Sequence, residues 1–382
     1  MARAHAAARS RDRRVGAPRT RRDDRTPGRR AAPRAGAPVD RHATHREATE
    51  DPVSGALTRI LVTGASGFVG GRVVSRARER GGILTHGVGR RARADRDYTS
   101  HDLSQPLARL SDAGFRPDVV IHAAARATPW GRDDDYHRDN VVATERVLEY
   151  CQAHGRPRLI YVSSSSVFYR DGPQVGITEA TPIGPAFVNR YAATKAAGET
   201  LVRQYAGSWA IARPRAVFGP GDTVLFPRIL EAARRGRLPL FDTGRDGPAM
   251  GDLIYVDTLA DYLLTLALRP DLTGDYNLTN AQPVPIQAFL LDVFARLGLP
   301  APRRTVSVRW AIAAAGVTEM VWTLLRREGE PPITRFGVGV FAWSKTFDSS
   351  RMLADLGPPS VSIADGVDAF VRWQQAQWQA SR

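Results

Sequence analysis

From Ile60 onward, short apolar runs alternate with stretches of helical spacing. Ile60 to Thr63, Ile83 to Val88, Val119 to His122, Leu159 to Ser163 and Trp209 to Arg213 are short, largely apolar runs of the kind that form buried strands. Between them, Val69 to Arg80, Asn140 to His154 and Tyr191 to Ala206 repeat apolar positions at helical intervals. Strands that alternate with helices predict parallel strands joined by crossover helices, hence an α/β doubly wound sheet. Its site is expected outside the carboxyl ends of the strands. Residues 1–55 break the pattern. They have no hydrophobic periodicity and no aromatic residue, and they are rich in Arg, Ala, Pro and Gly, so a disordered tail is expected there.

Composition changes this picture little. A chain of 382 residues with 43% hydrophobic content can bury a sizeable core. The net charge of +15 suggests an acidic partner until it is located: residues 1–55 hold 14 Arg against 7 acidic residues. That segment carries no interleaved aromatics for stacking bases, so it reads as a solvated tail and no nucleic acid is expected. It also lacks an apolar h-region, which excludes an ordinary secretory signal; Val53, just before the first strand, is a candidate later start of translation. A single cysteine, Cys151, rules out an intramolecular disulfide and argues against a Cys-based metal site, pointing to a reducing, cytoplasmic setting with no metal. Among 54 basic residues only Lys195 and Lys345 are lysine, which asks what an ammonium does there that a guanidinium cannot.

The first strand runs into Thr63-Gly64-Ala65-Ser66-Gly67-Phe68-Val69-Gly70 and then a helix. That is the context in which glycines make a tight turn, admit a pyrophosphate to the backbone and pack helix on strand, while helix N–H groups face the anion. The spacing T-G-x-x-G-x-x-G resembles the short-chain dehydrogenase/reductase superfamily, and the Phe68-Val69 pair resembles its extended branch, the NAD-dependent epimerase/dehydratase family. The resemblance implies a Rossmann-type sheet over residues 56–220 that holds NAD(P) and the catalytic residues. Residues 221–382 would then form mainly a smaller C-terminal α/β substrate domain, partly returning to the core. After the second strand, Gly89 fills the slot where an acidic residue binds the ribose and Arg90-Arg91 follow, so NADP is preferred to NAD. His101-Asp102-Leu103 resembles the pair near the adenine. His122-Ala123-Ala124-Ala125 resembles the H-x-A-A segment that approaches the cofactor, with His122 structural.

Hydroxyls crowd the end of the fourth predicted strand, at Ser163 to Ser166, and Tyr191-Ala192-Ala193-Thr194-Lys195 follows. On a helix, Tyr191 and Lys195 share a face. A tyrosine of ordinary pKa near 10 is a poor acid or base at neutral pH, and a nearby ammonium together with the nicotinamide charge would lower it. By resemblance to S-S-x-x-V-[YF], Ser164 orients the substrate oxygen, and Asn140 completes the family's tetrad through water. Arg213-Pro214-Arg215-Ala216-Val217-Phe218-Gly219-Pro220-Gly221-Asp222 resembles the segment that leads into the substrate domain, with Pro214 at the cofactor.

Nucleotide-sugar epimerases often carry Tyr-Phe-Asn where this chain has Pro214-Arg215-Ala216, and an arginine where it has Gly251. The runs Thr223 to Leu230, Val308 to Leu325 and Pro332 to Asp348 instead resemble the 3β-hydroxysteroid dehydrogenase branch, which includes 2-alkyl-3-oxoalkanoate reductases. That implies an oxidoreductase interconverting a secondary alcohol and a ketone on a bulky apolar, steroid-like or β-keto lipid substrate. The alternatives are a nucleotide-sugar epimerase or dehydratase and a non-catalytic NADP-binding sensor. Val308 to Leu325 is too short to span a membrane and is interrupted by Glu319; a helix packed on the second domain, a pocket wall and a peripheral membrane contact remain open for it. Helices like Asn140 to His154 and Tyr191 to Ala206 pair across dimers in similar proteins, which is compatible with a homodimer.

Overall fold

The computed structural model describes residues 57–107, 114–244, 247–327 and 329–381. The tail at 1–55, with the expectation of disorder placed on it, lies outside the described residues. Seven strands form the main sheet: β1 (Thr58–Thr63), β2 (Ile83–Gly89), β3 (Tyr98–Ser100), β4 (Val119–His122), β5 (Arg158–Val162), β6 (Trp209–Pro214) and β7 (Gly274–Leu278). Their order is β3-β2-β1-β4-β5-β6-β7 and every pairing is parallel. The chain leaves β1 toward β3 and returns on the other side at β4, so the order reverses between β1 and β4. In such sheets the crevice for a ligand opens at that reversal.

Both faces of the sheet are covered, which is why its strands read as unbroken apolar runs. On one face Ile60, Val62 and Ile121 pack with Val73 and Ala77 of α1 (Phe68–Arg80) and Leu259, Leu263 and Leu266 of a later helix. On the other, Leu61, Val120 and Leu159 pack with Val147, Leu148 and Cys151 of α2 (Ala143–Ala153) and Val202 of α3 (Arg190–Arg203). Cys151 is fully buried and its thiol is pushed up to about 12 by that burial, so it is an inert core residue. That later helix is α4 (Val256–Leu268), and β7 follows it.

The five strand candidates are all present, with ends shifted by one or two residues. Two further strands complete the sheet: β3 is three residues at an edge, and β7 reads Gly-Asp-Tyr-Asn-Leu, a turn-like composition. Elements before and after residue 220 share both larger sheets. β7 joins the main one, and Gln174–Ile177 pairs with Lys345–Phe347 in a four-stranded sheet that also holds Met250–Gly251 and Val284–Pro285.

The apolar run at Val308 is helix α5 (Val308–Leu324). It buries Val308, Ala311 and Ala315 and leaves Trp310 77%, Met320 62% and Leu324 79% exposed. Glu319, which interrupts the run, accepts from the backbone N–H and Nε of Arg335 at 2.7 and 2.8 Å, tying α5 to α6 (Arg335–Ala342). Among the described residues no helix is long and apolar enough to cross a membrane.

Candidate active site

The glycine turn lies at the reversal point. Gly64 has φ +70°, and a Cβ on it would come within 2.8 Å of the Ala124 backbone, so only glycine lets the ends of β1 and β4 approach so closely. A Cβ on Gly70 would come within 2.7 Å of the Gly64 carbonyl carbon, fixing how α1 enters behind the turn. Gly67 caps α1 with no side-chain bond and is exposed, and the first turn holds no acidic residue. The Gly67 N–H is spent on the Gly64 carbonyl at 2.8 Å, and the helix N–H groups that follow have no side-chain cap or first-turn carboxylate competing for an anion, which suits a pyrophosphate. Phe68 sits against Gly221, whose Cβ position is 3.7 Å from its ring, and Val69 packs on the core.

At the end of β2, a Cβ on Gly89 would meet Ser66 Oγ at 2.6 Å and the Tyr98 hydroxyl at 2.8 Å. An acidic side chain there would have to displace the Ser66 hydroxyl and the Tyr98 phenol. Arg90 is half exposed, with Nη1 3.3 Å from Asp139 Oδ2, and Arg91 donates weakly to the Ser66 carbonyl at 3.4 Å. Cations therefore surround the place where an adenosine ribose would end, and the residues present fit a dinucleotide. Asp102 is exposed and accepts from the Ser104 N–H at 2.9 Å, which holds its carboxyl below the usual range; Leu103 is buried in the core.

Beyond β4 a hydrogen-bond chain fixes the floor of the site. Thr144 Oγ1 donates to the Asn140 carbonyl at 2.6 Å, so its remaining capacity is to accept from His122 Nε2 at 3.1 Å. His122 Nδ1 then accepts from Thr63 Oγ1 at 2.7 Å, and Thr63 Oγ1 accepts the Ala124 N–H at 3.2 Å. His122 is fully buried and pushed down to about 3 by burial and by Lys195, so it stays neutral. Asn140 lies in a π-helical turn (His137–Val142) ahead of α2. Its amide donates to Thr194 Oγ1 at 2.9 Å and to the Arg126 carbonyl at 3.3 Å, and its Oδ1 accepts the Arg126 N–H at 2.7 Å. It thereby ties the β4 loop to the helix of Tyr191.

The four serines after β5 are distinguished by their partners. Ser163 donates to Glu199 Oε1 at 2.6 Å, Ser165 pairs with the Tyr169 hydroxyl at 3.1 Å, and Ser166 donates to Ser164 Oγ at 2.9 Å. Ser164, whose Oγ accepts from the Ser166 N–H and hydroxyl at 3.2 and 2.9 Å, is the one that bears on the Tyr191 phenol. Tyr191 is pushed up to about 12 by burial, with the Ser164 bond opposing. Here the structure differs from the expectation of a lowered pKa. The ammonium of Lys195 is not directed at the phenol: it donates to the Val162 carbonyl at 2.6 Å and lies 4.8 Å from the centroid of the Tyr161 ring. Burial lowers Lys195 to about 7, against the pull of Glu199.

Glu199 and Arg213 escaped the sequence reading. Arg213 places Nε and Nη2 at 2.9 and 2.8 Å from the Glu199 carboxylate, deep in the protein, and Nη2 at 2.6 Å from the partly buried Asp275 of β7. The available signal was spacing: Glu199 follows Lys195 by one helical turn on the same face. Pro214 is buried at the end of β6. A cavity of about 540 Å³ borders Ala196, Glu199, Arg203, Arg213 and Asp275 and includes neither Ser164 nor Tyr191. Among the described residues no cluster could hold a metal.

The model of the NAD dependent epimerase/dehydratase family matches residues 60–279. The chain belongs to that family. This epimerase/dehydratase-family protein is 35% identical over 333 residues to the 2-alkyl-3-oxoalkanoate reductase of Stenotrophomonas maltophilia, covering 81% of this chain and 97% of that one. It is 30% identical to 3beta-hydroxysteroid-dehydrogenase/decarboxylase isoform 1 of Arabidopsis thaliana, over 77% of this chain and 70% of that one. A UDP-glucose 4-epimerase structure from Thermus thermophilus, in complex with NAD, shares the fold at a TM-score of 0.63 with 23% identity, over 84% of this chain and all of that one. The protein is an NAD(P)-dependent oxidoreductase of the extended short-chain dehydrogenase/reductase type.

Proposed function

We propose that this protein interconverts a secondary alcohol and a ketone on a bulky apolar substrate, using NADP(H) in preference to NAD(H). The observation that carries the substrate class is at Gly251. A Cβ there would meet Ile286 Cδ1 at 2.6 Å, so the position where sugar-nucleotide enzymes often place an arginine is filled by an apolar side chain. The named reductase and hydroxysteroid relatives support the same reading. For the cofactor, the support is the barred acidic slot at Gly89 and the half-exposed Arg90 beside it.

Bound in the crevice, the dinucleotide would supply or accept the hydride. It would be held by Gly64, Ser66, Gly67 and Gly70 at the diphosphate, by Arg90 and Asp102 at the adenosine, and by Ala123, Ala124 and Pro214 at the nicotinamide half. Ser164 polarises the substrate oxygen, and Tyr191 gives or takes the proton at that oxygen. Lys195, one helical turn beyond Tyr191 and anchored by its bond to the Val162 carbonyl, would reach the ribose hydroxyls. Asn140 acts as a positioning residue, because its amide is already committed to Thr194 and Arg126.

The test is fluorescence titration with NADPH and NADH, followed by branched 3-oxo acids, steroid ketones and UDP-sugars added to the saturated complex. NADPH oxidation by an apolar ketone is expected. Perturbation of the nicotinamide by UDP-sugars alone would sink the reading in favour of an epimerase.

A further inference from the structure

We propose that Tyr161 is a positioning residue for the cofactor site: the face of its ring holds the Lys195 ammonium so that the donor left over is directed to the cofactor ribose. This rests on the role given to Lys195 above and names what sets that lysine's direction.

An ammonium has three donors and no acceptor, and a buried one is costly unless its charge and its N–H groups are taken up. Lys345 shows one solution, with donors on the Arg170 and Gly172 carbonyls and on Gln174 Oε1. Lys195 is as deeply buried, yet among the described residues it makes one hydrogen bond, to the Val162 carbonyl at 2.6 Å. Nor is a carboxylate within ion-pair distance of it among those residues. Glu199, one turn further along α3, is taken up by Ser163, Arg203 and Arg213. What faces the charge instead is Tyr161, whose ring centroid lies 4.8 Å from Nζ. The face of an aromatic ring carries the negative part of its quadrupole and attracts a cation, more strongly where water is excluded. Tyr161 is fully buried.

The ring is itself held in place. Tyr161 lies in β5 between His122 of β4 and Ile211 of β6, and it packs in the core with Val147 of α2 and Val202 of α3. Its phenol end lies against Gly198, where a Cβ would come within 2.8 Å of Cζ. Lys195 and Gly198 are three residues apart on one face of α3, so the missing side chain at 198 is what lets the helix lie down on the ring with the lysine over its centre. On the other side the His122 ring stands 5.7 Å away between centroids, and because it stays neutral it brings no competing charge.

Tyr161 and Val162 are consecutive in β5, and Ser164 follows two residues beyond its end. One rigid strand therefore gives Nζ two fixed directions, the carbonyl and the ring face, beside the serine that meets the substrate. The carbonyl takes one N–H and the ring face a second. One donor remains for the ribose hydroxyls, and its direction follows from the other two.

The experiment compares Tyr161→Phe with the same position carrying a trifluorinated phenylalanine, each with Lys195 present and with Lys195→Met. Fluorination nearly keeps the shape of the ring and drains the charge from its face. NADPH affinity is read by fluorescence titration, and the urea midpoint of the cofactor-free protein is read at pH 6, where Lys195 carries its proton. Tyr161→Phe should bind NADPH within about twofold of wild type, and fluorination should weaken binding about 3- to 30-fold, the range expected for one desolvated contact between ring and cation. The fluorinated protein should also unfold at lower urea than Tyr161→Phe. With Lys195→Met both differences should disappear, because ring and lysine act as a unit. Equal affinities for the plain and fluorinated rings would show that the ring only fills space and would overturn the inference. The same loss in the Lys195→Met background would overturn it too, since the ring would then act without the lysine. Either result leaves the proposed function standing. If Lys195→Met alone bound NADPH as tightly as wild type, the role of Lys195 in that function would fall, and this inference with it. Should the fluorinated protein not fold, Gly198→Ala presses on the ring from its phenol end; it should weaken NADPH with Lys195 present and not with Lys195→Met, and additive losses would overturn the inference.

Discussion

Lys195→Met replaces the ammonium with an apolar side chain of similar length, and its effect on stability should depend on pH in a calculable way. Lys195 is 2% exposed and lowered to about 7, whereas a lysine in the unfolded chain titrates near 10.4. Between those values the unfolded chain binds the proton and the folded one does not. Deprotonation therefore contributes stability that is complete above about 10.4 and is lost as pH falls through 7. Each pH unit inside the window is worth up to about 1.4 kcal/mol, so wild type should gain roughly 2 to 3 kcal/mol relative to the variant between pH 7.5 and 9.5. A constant offset of about 1 kcal/mol against the variant comes from the lost bond to the Val162 carbonyl. Other groups that titrate in this range, including Lys345 near 8, are common to both proteins and cancel in the difference. Urea unfolding of both proteins at the two pH values, without added cofactor, measures the quantity. A difference that does not change with pH would refute the reasoning, because the ammonium would then not be destabilised by burial. The variant should also lose turnover at least 100-fold, since a buried lysine whose charged form is so disfavoured points to function.

Tyr191→Phe should lower kcat by 10²- to 10⁴-fold while leaving NADPH affinity intact, as read by turnover and titration; a loss under tenfold would remove the tyrosine from proton transfer. Glu199→Gln leaves Arg213 half paired in the interior and should cost about 3–5 kcal/mol of unfolding free energy, measured by urea denaturation; a loss below 1 kcal/mol would show that Asp275 suffices. Arg90→Ala should weaken NADPH at least tenfold more than NADH in fluorescence titrations, whereas Gly89→Asp should not create NADH preference, because Ser66 and Tyr98 fill its space. Gly70→Ala drives a Cβ into the Gly64 carbonyl and should abolish cofactor binding, and retained affinity would show that the turn can give way.

What the sequence showed and what it hid follow from how each feature is built. Strands buried on both faces must be apolar throughout, so β1, β2, β4, β5 and β6 were legible as runs. β7 was not, because Asp275 and Asn277 answer to partners elsewhere: Asp275 meets Arg203 and Arg213, and the Asn277 side-chain amide donates to the Ile177 carbonyl. The glycine turn was legible because close backbone approach admits no other residue, and Ser164, Tyr191 and Lys195 because one strand end and one helical turn set their spacing. The Glu199–Arg213–Asp275 cluster joins a helix and two strands distant in sequence, and no local period reports it. Nor does spacing reveal that Asn140 is held on three sides, since Arg126 and Thr194 come from a loop and another helix.

The two lysines show why a rare residue type is informative only with its surroundings. Lys195 sends one donor to a main-chain carbonyl at 2.6 Å and lies over the Tyr161 ring, a spot reached by a slim stem and a compact charge. Lys345 sends three donors to three oxygens of the Arg170–Gln174 turn, a converging set that a flat guanidinium fork cannot satisfy. The two retained lysines thus have different grounds, one at the end of β5 and one in the support of the loop after Ser164. Lys345 also lies beside Tyr169, which faces Arg215 and bonds the serine next to Ser164. Lys345→Met would leave those three oxygens without their donor, so it should lower the urea midpoint and loosen the loop that follows Ser164; an unchanged midpoint would show that the turn holds without the ammonium.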